Sequence, residues 1–156
     1  MLGTKIYKTD MSNYTDCAIW CNQNKATIED RGDYYEVVTL PLPSLQEIKA
    51  AKIAELKAQR DSKEVEPITY NGNRYDYDEK ARDRINVAIA ALGDTDSLSW
   101  TTADNKEVTV TGVDLRSVLI EVAKRSIALH KAYRVAKEKV LNATTKEEVE
   151  KVVLNE

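Results

Sequence analysis

The side chains of this 156-residue chain best suited to chemistry are one histidine, two cysteines, an acidic cluster and a set of aromatics. His130 could serve as a general base, with Glu121, Lys124 and Lys137 able to approach it on a helix surface. Base catalysis also needs a nucleophile and an orienting carboxylate converging on a cleft, and no spacing in the chain sets up such a group. No catalytic residue is therefore expected, and His130 reads as a partly exposed structural histidine. Cys17 and Cys21, in Cys-Ala-Ile-Trp-Cys, stack on one face if the segment is helical. Tetrahedral zinc would require two further ligands, and a disulfide across one helical turn would be strained, so both read as buried, reduced thiols. Asp76, Asp78 and Glu79 could suggest a divalent ion, but helix capping and charge at a helix N-terminus already account for carboxylates there. Gly72, Gly93 and Gly112 are isolated turn glycines and form no phosphate loop. Neither a metal nor a cofactor is expected.

The aromatic residues are better suited to contact than to catalysis. Tyr34, Tyr35, Tyr70, Tyr75, Tyr77 and Trp100 combine large contact area with low entropy cost. Phe is absent from the chain, so about half of the tyrosines are expected to serve as core. The candidate partner-binding residues are Tyr70, Tyr75, Tyr77 and Trp100.

Composition excludes several classes of function. A hydrophobic fraction of 42% is enough for a buried core, and a net charge of −3 from 23 basic and 26 acidic residues gives no excess to drive phosphate binding. Nucleic acid is not an expected partner. No apolar run approaches the roughly 20 residues of a membrane span, and Met1 to Asp10 lack a signal-peptide apolar block, so a cytoplasmic, membrane-free location is expected.

The elements that must position these residues are an α+β set in three segments. Residues 1–43 read as a small β-α-β-β unit: a strand at Lys5–Lys8, a helix capped by Ser12, and two strands divided by Asp30-Arg31-Gly32-Asp33. Residues 44–66 read as a connector helix begun by a Ser44–Glu47 capping box. Its apolar face of Leu45, Ile48, Ile53 and Leu56 is interrupted by Lys49 and Lys52, which points to a helix lying across a surface or pairing with its own copy. Residues 67–156 read as a module of two hairpins, a medium helix, a long helix and a short C-terminal helix. Asn71-Gly72 supplies a type I′ turn, and Asp76 or Asp78 caps a helix lined by Ala81, Ile85, Ala88, Ile89 and Leu92. A second hairpin pairs Ser99–Thr102 with Glu107–Val110. From Asp114 a heptad stripe runs through Leu115, Leu119, Val122, Ser126, Leu129, Tyr133, Ala136 and Val140, widened by Val118, Ala123, Ile127 and Leu141. It outruns what one short helix and two hairpins can cover, which points to self-association through Leu119, Val122, Leu129, Tyr133 and Val140 and hence to a homo-oligomer. Thr144 to Glu147 repeats the capping-box pattern before Val149, Val152 and Val153.

The succession Tyr70-x-Gly72-x-x-Tyr75, the Arg84-Ile85 helix, Trp100 with Asp104 a turn later, the helix from Leu115 past His130, and Ala143-Thr-Thr-Lys-Glu147 resembles a domain of unknown function found in tailed bacteriophages and prophages. The resemblance covers about the last ninety residues and, more loosely, the Lys52 to Asp61 helix. Its members occur among phage tail proteins and proteins labelled as tail-fibre assembly factors. The resemblance implies a non-enzymatic tail-associated protein, either an assembly factor or a minor structural component, that contacts a tail or tail-fibre protein. Its location would be the host cytoplasm during assembly, or the virion tail. It carries no catalytic residues over to this chain. The alternative is a small-ligand-binding phage protein such as a host-defence antagonist, and a small hydrolase ranks last.

Overall fold

The computed structural model describes residues 1–155, and its backbone divides into two compact units, Met1–Ser44 and the chain from Leu45 on. The fold is α+β, with seven strands and five helices among the described residues. The boundary falls one residue beyond the expected one. The expected connector is no separate segment, because its helix belongs to the second unit.

In the first unit, β1 (Lys5–Tyr7), α1 (Tyr14–Gln23), β2 (Ala26–Asp30) and β3 (Tyr34–Thr39) form the expected β-α-β-β order. The sheet is antiparallel in the order β1-β3-β2, and Gly32 takes the positive φ (88°) that its hairpin needs. Ile6, Cys17, Cys21, Ala26 and Val37 form its core, so both thiols are buried and unpaired. Ser12 does not cap α1. Asn13 occupies that position without a side-chain cap, while the Ser12 N–H donates to Asp10.

The second unit is built on one long helix. Its elements are α2 (Leu45–Glu64), β4 (Ile68–Tyr70), β5 (Asn73–Tyr75), α3 (Glu79–Ala91), β6 (Ser97–Thr101), β7 (Glu107–Thr111), α4 (Gly112–Asn142) and α5 (Lys146–Glu150). Asn71 and Gly72 both take positive φ (49° and 78°), as the β4–β5 turn requires. Asp78 is the cap of α3, its carboxylate accepting the Ala81 N–H at 2.7 Å. The two hairpins are joined by the Ala103 N–H, which donates to the Arg74 carbonyl at 2.8 Å, and by an Arg74–Asp104 ion pair.

Helix α4 starts two residues before the expected cap. Thr111 is its N-cap and Asp114 completes the capping box: each side chain accepts the other's backbone N–H, at 3.2 and 2.9 Å. At α5 the shift is one residue the other way: Thr145 and Glu148 form the box in place of Thr144 and Glu147. At the start of α4, Gly112 lies so close to Gly93 that a Cβ would stand 2.6 Å from the Gly93 carbonyl oxygen.

The heptad stripe is covered within the chain, and α2 is the element that covers its second half. Leu56, fully buried, packs with Ala136, Val140, Ala143, Val149 and Val152, joined by Leu45, Ile48, Ile53 and Tyr133. The two helices run antiparallel, because Lys49 Nζ donates to the Leu141 carbonyl at 2.8 Å near one end and Glu64 meets Ser126 and His130 near the other. This overturns the reading of α2 as a helix that avoids the core. Lys49 and Lys52 do not spoil its apolar face: lysine stems cover apolar surface while the ammonium groups reach a helix C-terminus and Glu55. The first half of the stripe lies in a second core with Tyr75, Ile85, Val110, Leu115 and Val118, flanked by Ile68, Ala88, Ile89, Leu98 and Trp100.

Candidate functional site

The self-association residues inferred from the heptad are spent inside the fold. Val122, Leu129 and Val140 are buried and Leu119 and Tyr133 half-buried, because α2, α3, α5 and the hairpins occupy that face of α4. Tyr75 is likewise a core residue, 2% exposed, and burial pushes its phenol pKa up. It can contact no partner in this fold. Tyr70, Tyr77 and Trp100 are half-buried, packed on the second core with an edge left outside. Trp100 lies under the Arg84 guanidinium at 5.7 Å, and Tyr77 under Arg125 at 5.8 Å.

Tyr77 opens onto a cleft of about 560 Å³ between the end of α2, α3 and the middle of α4. Its walls are Leu119, Val122 and Ala123, and its polar rim holds Glu64, Glu79 and Arg82. Arg125 is a positioning residue that nothing in the periodicity signals. Its guanidinium donates to the carbonyls of Glu64 (2.7 Å), Glu66 (2.7 Å) and Pro67 (3.4 Å), closing the C-terminus of α2.

The one arrangement with a catalytic look is at the cleft edge. Glu64 Oε1 accepts the Ser126 hydroxyl at 2.8 Å and lies 3.1 Å from His130 Nε2. A hydroxyl is activated when it donates to the imidazole, with the carboxylate behind the ring. Here the Ser126 hydroxyl donates to the same carboxylate oxygen that His130 Nε2 faces, which ties α2 to α4 and leaves Ser126 with no imidazole partner. Asp76, Asp78 and Glu79 gather no metal-binding group, and among the described residues no cluster of three or more His, Cys, Asp or Glu could hold an ion.

The outward side of α4 leaves large apolar side chains uncovered. Val113, Ile120, Ile127 and Leu141 are 49%, 55%, 71% and 51% exposed. With Arg134 they occupy every seventh position, which sets them about 10 Å apart in one column along a flank of α4 outside the buried stripe. Ile127 and Leu141 are legible in the sequence only as widening the heptad. Their true column appears once α2 is seen to take the other face.

Among the described residues no helix is long and apolar enough to cross a membrane. No curated protein and no solved structure matches the chain. A domain of unknown function, DUF4376, matches residues 47–153, a span that takes in α2, both hairpins, α3, α4 and α5, and the chain belongs to that family.

Proposed function

We propose that this protein is a non-enzymatic contact module, associated with a bacteriophage tail, that works in assembly by presenting a fixed helical face to a tail or tail-fibre protein. The observation that carries the reading is the apolar column of Val113, Ile120, Ile127 and Leu141, held outward on a helix whose other face is anchored by two cores. Large apolar side chains left exposed at regular intervals along an otherwise polar helix are where contact with another protein removes most water. The phage setting rests on the resemblance of the C-terminal motifs to tail-associated proteins.

The test is co-expression with the tail and tail-fibre proteins encoded beside its gene, followed by co-purification. One of them is retained by the wild-type chain and lost with Ile127→Asp, a change at an exposed position that leaves the fold intact. Retention of none of them, or equal retention by the variant, would remove the reading.

A second reading, a small-ligand-binding protein, is favoured by the cleft at Tyr77, Arg82 and Glu64. Native mass spectrometry of the freshly purified protein decides it: a bound small molecule lost in Arg82→Ala supports it, and a ligand-free mass counts against it.

A further inference from the structure

The charges beside the outward column say what kind of partner segment fits it. The chain carries a net charge of −3, yet α4 holds seven Lys and Arg against three Asp and Glu. Towards its N-terminal half these charges are answered internally: Arg116 pairs with Asp94, and Lys124 pairs with Glu121 at 2.6 Å. Towards the C-terminal half they are not. Lys131, Arg134 and Lys137 are exposed and make no ion pair among the described residues, and the carboxylate alongside them is Glu138.

Two occupants can be weighed on these facts. A second copy would bring the same face, with Glu138 alone to meet three cations, so like charges would oppose the pairing. The apolar area is also small. Four side chains 49–71% exposed present a few hundred Å², on the order of a functional patch on a monomer and well short of the roughly 800 Å² per partner of a stable interface. A single helix laid along the column suits that area, and carboxylates on its flanks suit the cations.

We infer that the outward face of α4 docks an acidic amphipathic helix of a partner protein, with apolar residues on Ile120, Ile127 and Leu141 and carboxylates against Lys131, Arg134 and Lys137. From Ile120 to Leu141 the column runs about 32 Å, enough for about six turns of docked helix. The inference rests on the contact reading above and adds the charge of the partner.

The test uses the full chain and two labelled peptides of about 21 residues, each with leucines at heptad spacing, one flanked by Glu and the other by Lys. Fluorescence anisotropy at low salt should show the acidic peptide bound at least about tenfold more tightly, with the preference shrinking as salt screens the charges. Triple reversal (Lys131→Glu, Arg134→Glu, Lys137→Glu) should exchange the order of the peptides, and Ile127→Asp should weaken both. Equal binding of the two peptides, or an order unmoved by the triple reversal, would overturn the inference. So would sedimentation of the protein with phosphatidylserine vesicles in a manner abolished by the reversal, or a dimer abolished by Ile127→Asp. The two failures are separable. If a tail protein is still lost with Ile127→Asp while the peptides bind alike, the contact reading stands and the acidic-helix assignment falls. If Ile127→Asp retains every tail protein, the contact reading falls.

Discussion

Replacing Gly112 with alanine tests the tightest backbone approach in the second unit. A Cβ there would stand 2.6 Å from the Gly93 carbonyl oxygen and 3.1 Å from Arg116 Nη2. The arginine can swing aside, but the carbonyl belongs to the backbone entering β6 and is tied to Asp96, whose N–H donates to it at 3.3 Å. On intrinsic grounds alanine in a helix is favoured over glycine by up to about 1 kcal/mol. Forcing a carbon into filled space costs about 1–3 kcal/mol, so the net expectation is a loss of about 1–2 kcal/mol. For a chain of this size that lowers Tm by about 2–8 °C. Gly93→Ala is the matched control: its Cβ would meet the Asp96 carboxylate, a movable side chain, at 3.0 Å, and the change should stay within about 0.5 kcal/mol. Urea unfolding followed by circular dichroism at 222 nm reports mainly on α2 to α5, where most of the helix lies. A Gly112→Ala variant as stable as the wild type, or no less stable than Gly93→Ala, would refute the packing argument.

Leu56→Ala should cost about 2–5 kcal/mol in urea unfolding, since it empties a fully buried position between α2 and α4; a smaller loss would mean that α2 is only loosely docked. Arg125→Met should lower stability by about 2–3 kcal/mol by stripping charge-assisted hydrogen bonds from the Glu64, Glu66 and Pro67 carbonyls, measured the same way. Asp114 is held below the usual carboxylate range by the Thr111 hydroxyl and then by its backbone N–H, and Glu148 by the Thr144 N–H first and then its hydroxyl. Both pKa values are lower folded than unfolded, so their contribution is present above about pH 4.5 and is lost as pH falls through the folded values. Tm followed from pH 6 to pH 2 should therefore fall below about pH 4.5, and less steeply in the Asp114→Asn, Glu148→Gln variant. Tyr75→Ala should lower stability by about 3–5 kcal/mol, whereas Ile127→Asp should leave the urea midpoint nearly unchanged.

Local chemistry made most of the elements legible. Asn71-Gly72 places a hairpin because few residue pairs tolerate two successive positive φ values, and the alternation of Val108 and Val110 with polar neighbours places β7. Caps were readable to within one to three residues, since Thr111 with Asp114 and Thr145 with Glu148 compete with equally good neighbours, and packing decides between them. What periodicity could not convey was which element covers which face. The stripe from Leu115 to Val140 looks the same whether a copy or α2 lies on it. The lysines of α2 obscured its packing, because a one-letter pattern does not distinguish a buried stem from a buried charge. Tyr75 and Tyr77 are two apart, and only the register that sets Tyr75 opposite Ile68 turns the former inward while Tyr77 reaches the cleft. The outward column was half visible through Ile127 and Leu141, but its cations gained meaning only from the lack of internal partners.

Leu45, at the start of α2, and Leu154, beyond α5, pack on the same hydrophobic cluster, so both ends of the family domain are fastened into one core. A body whose two ends are both held in its core does not fray from either of them, so tension applied ahead of α2 is borne by the α2–α4 packing itself. Such a module behaves like a strap buckled at both ends: what precedes Leu45 can be exchanged while the helical face from Val113 to Leu141 keeps its geometry.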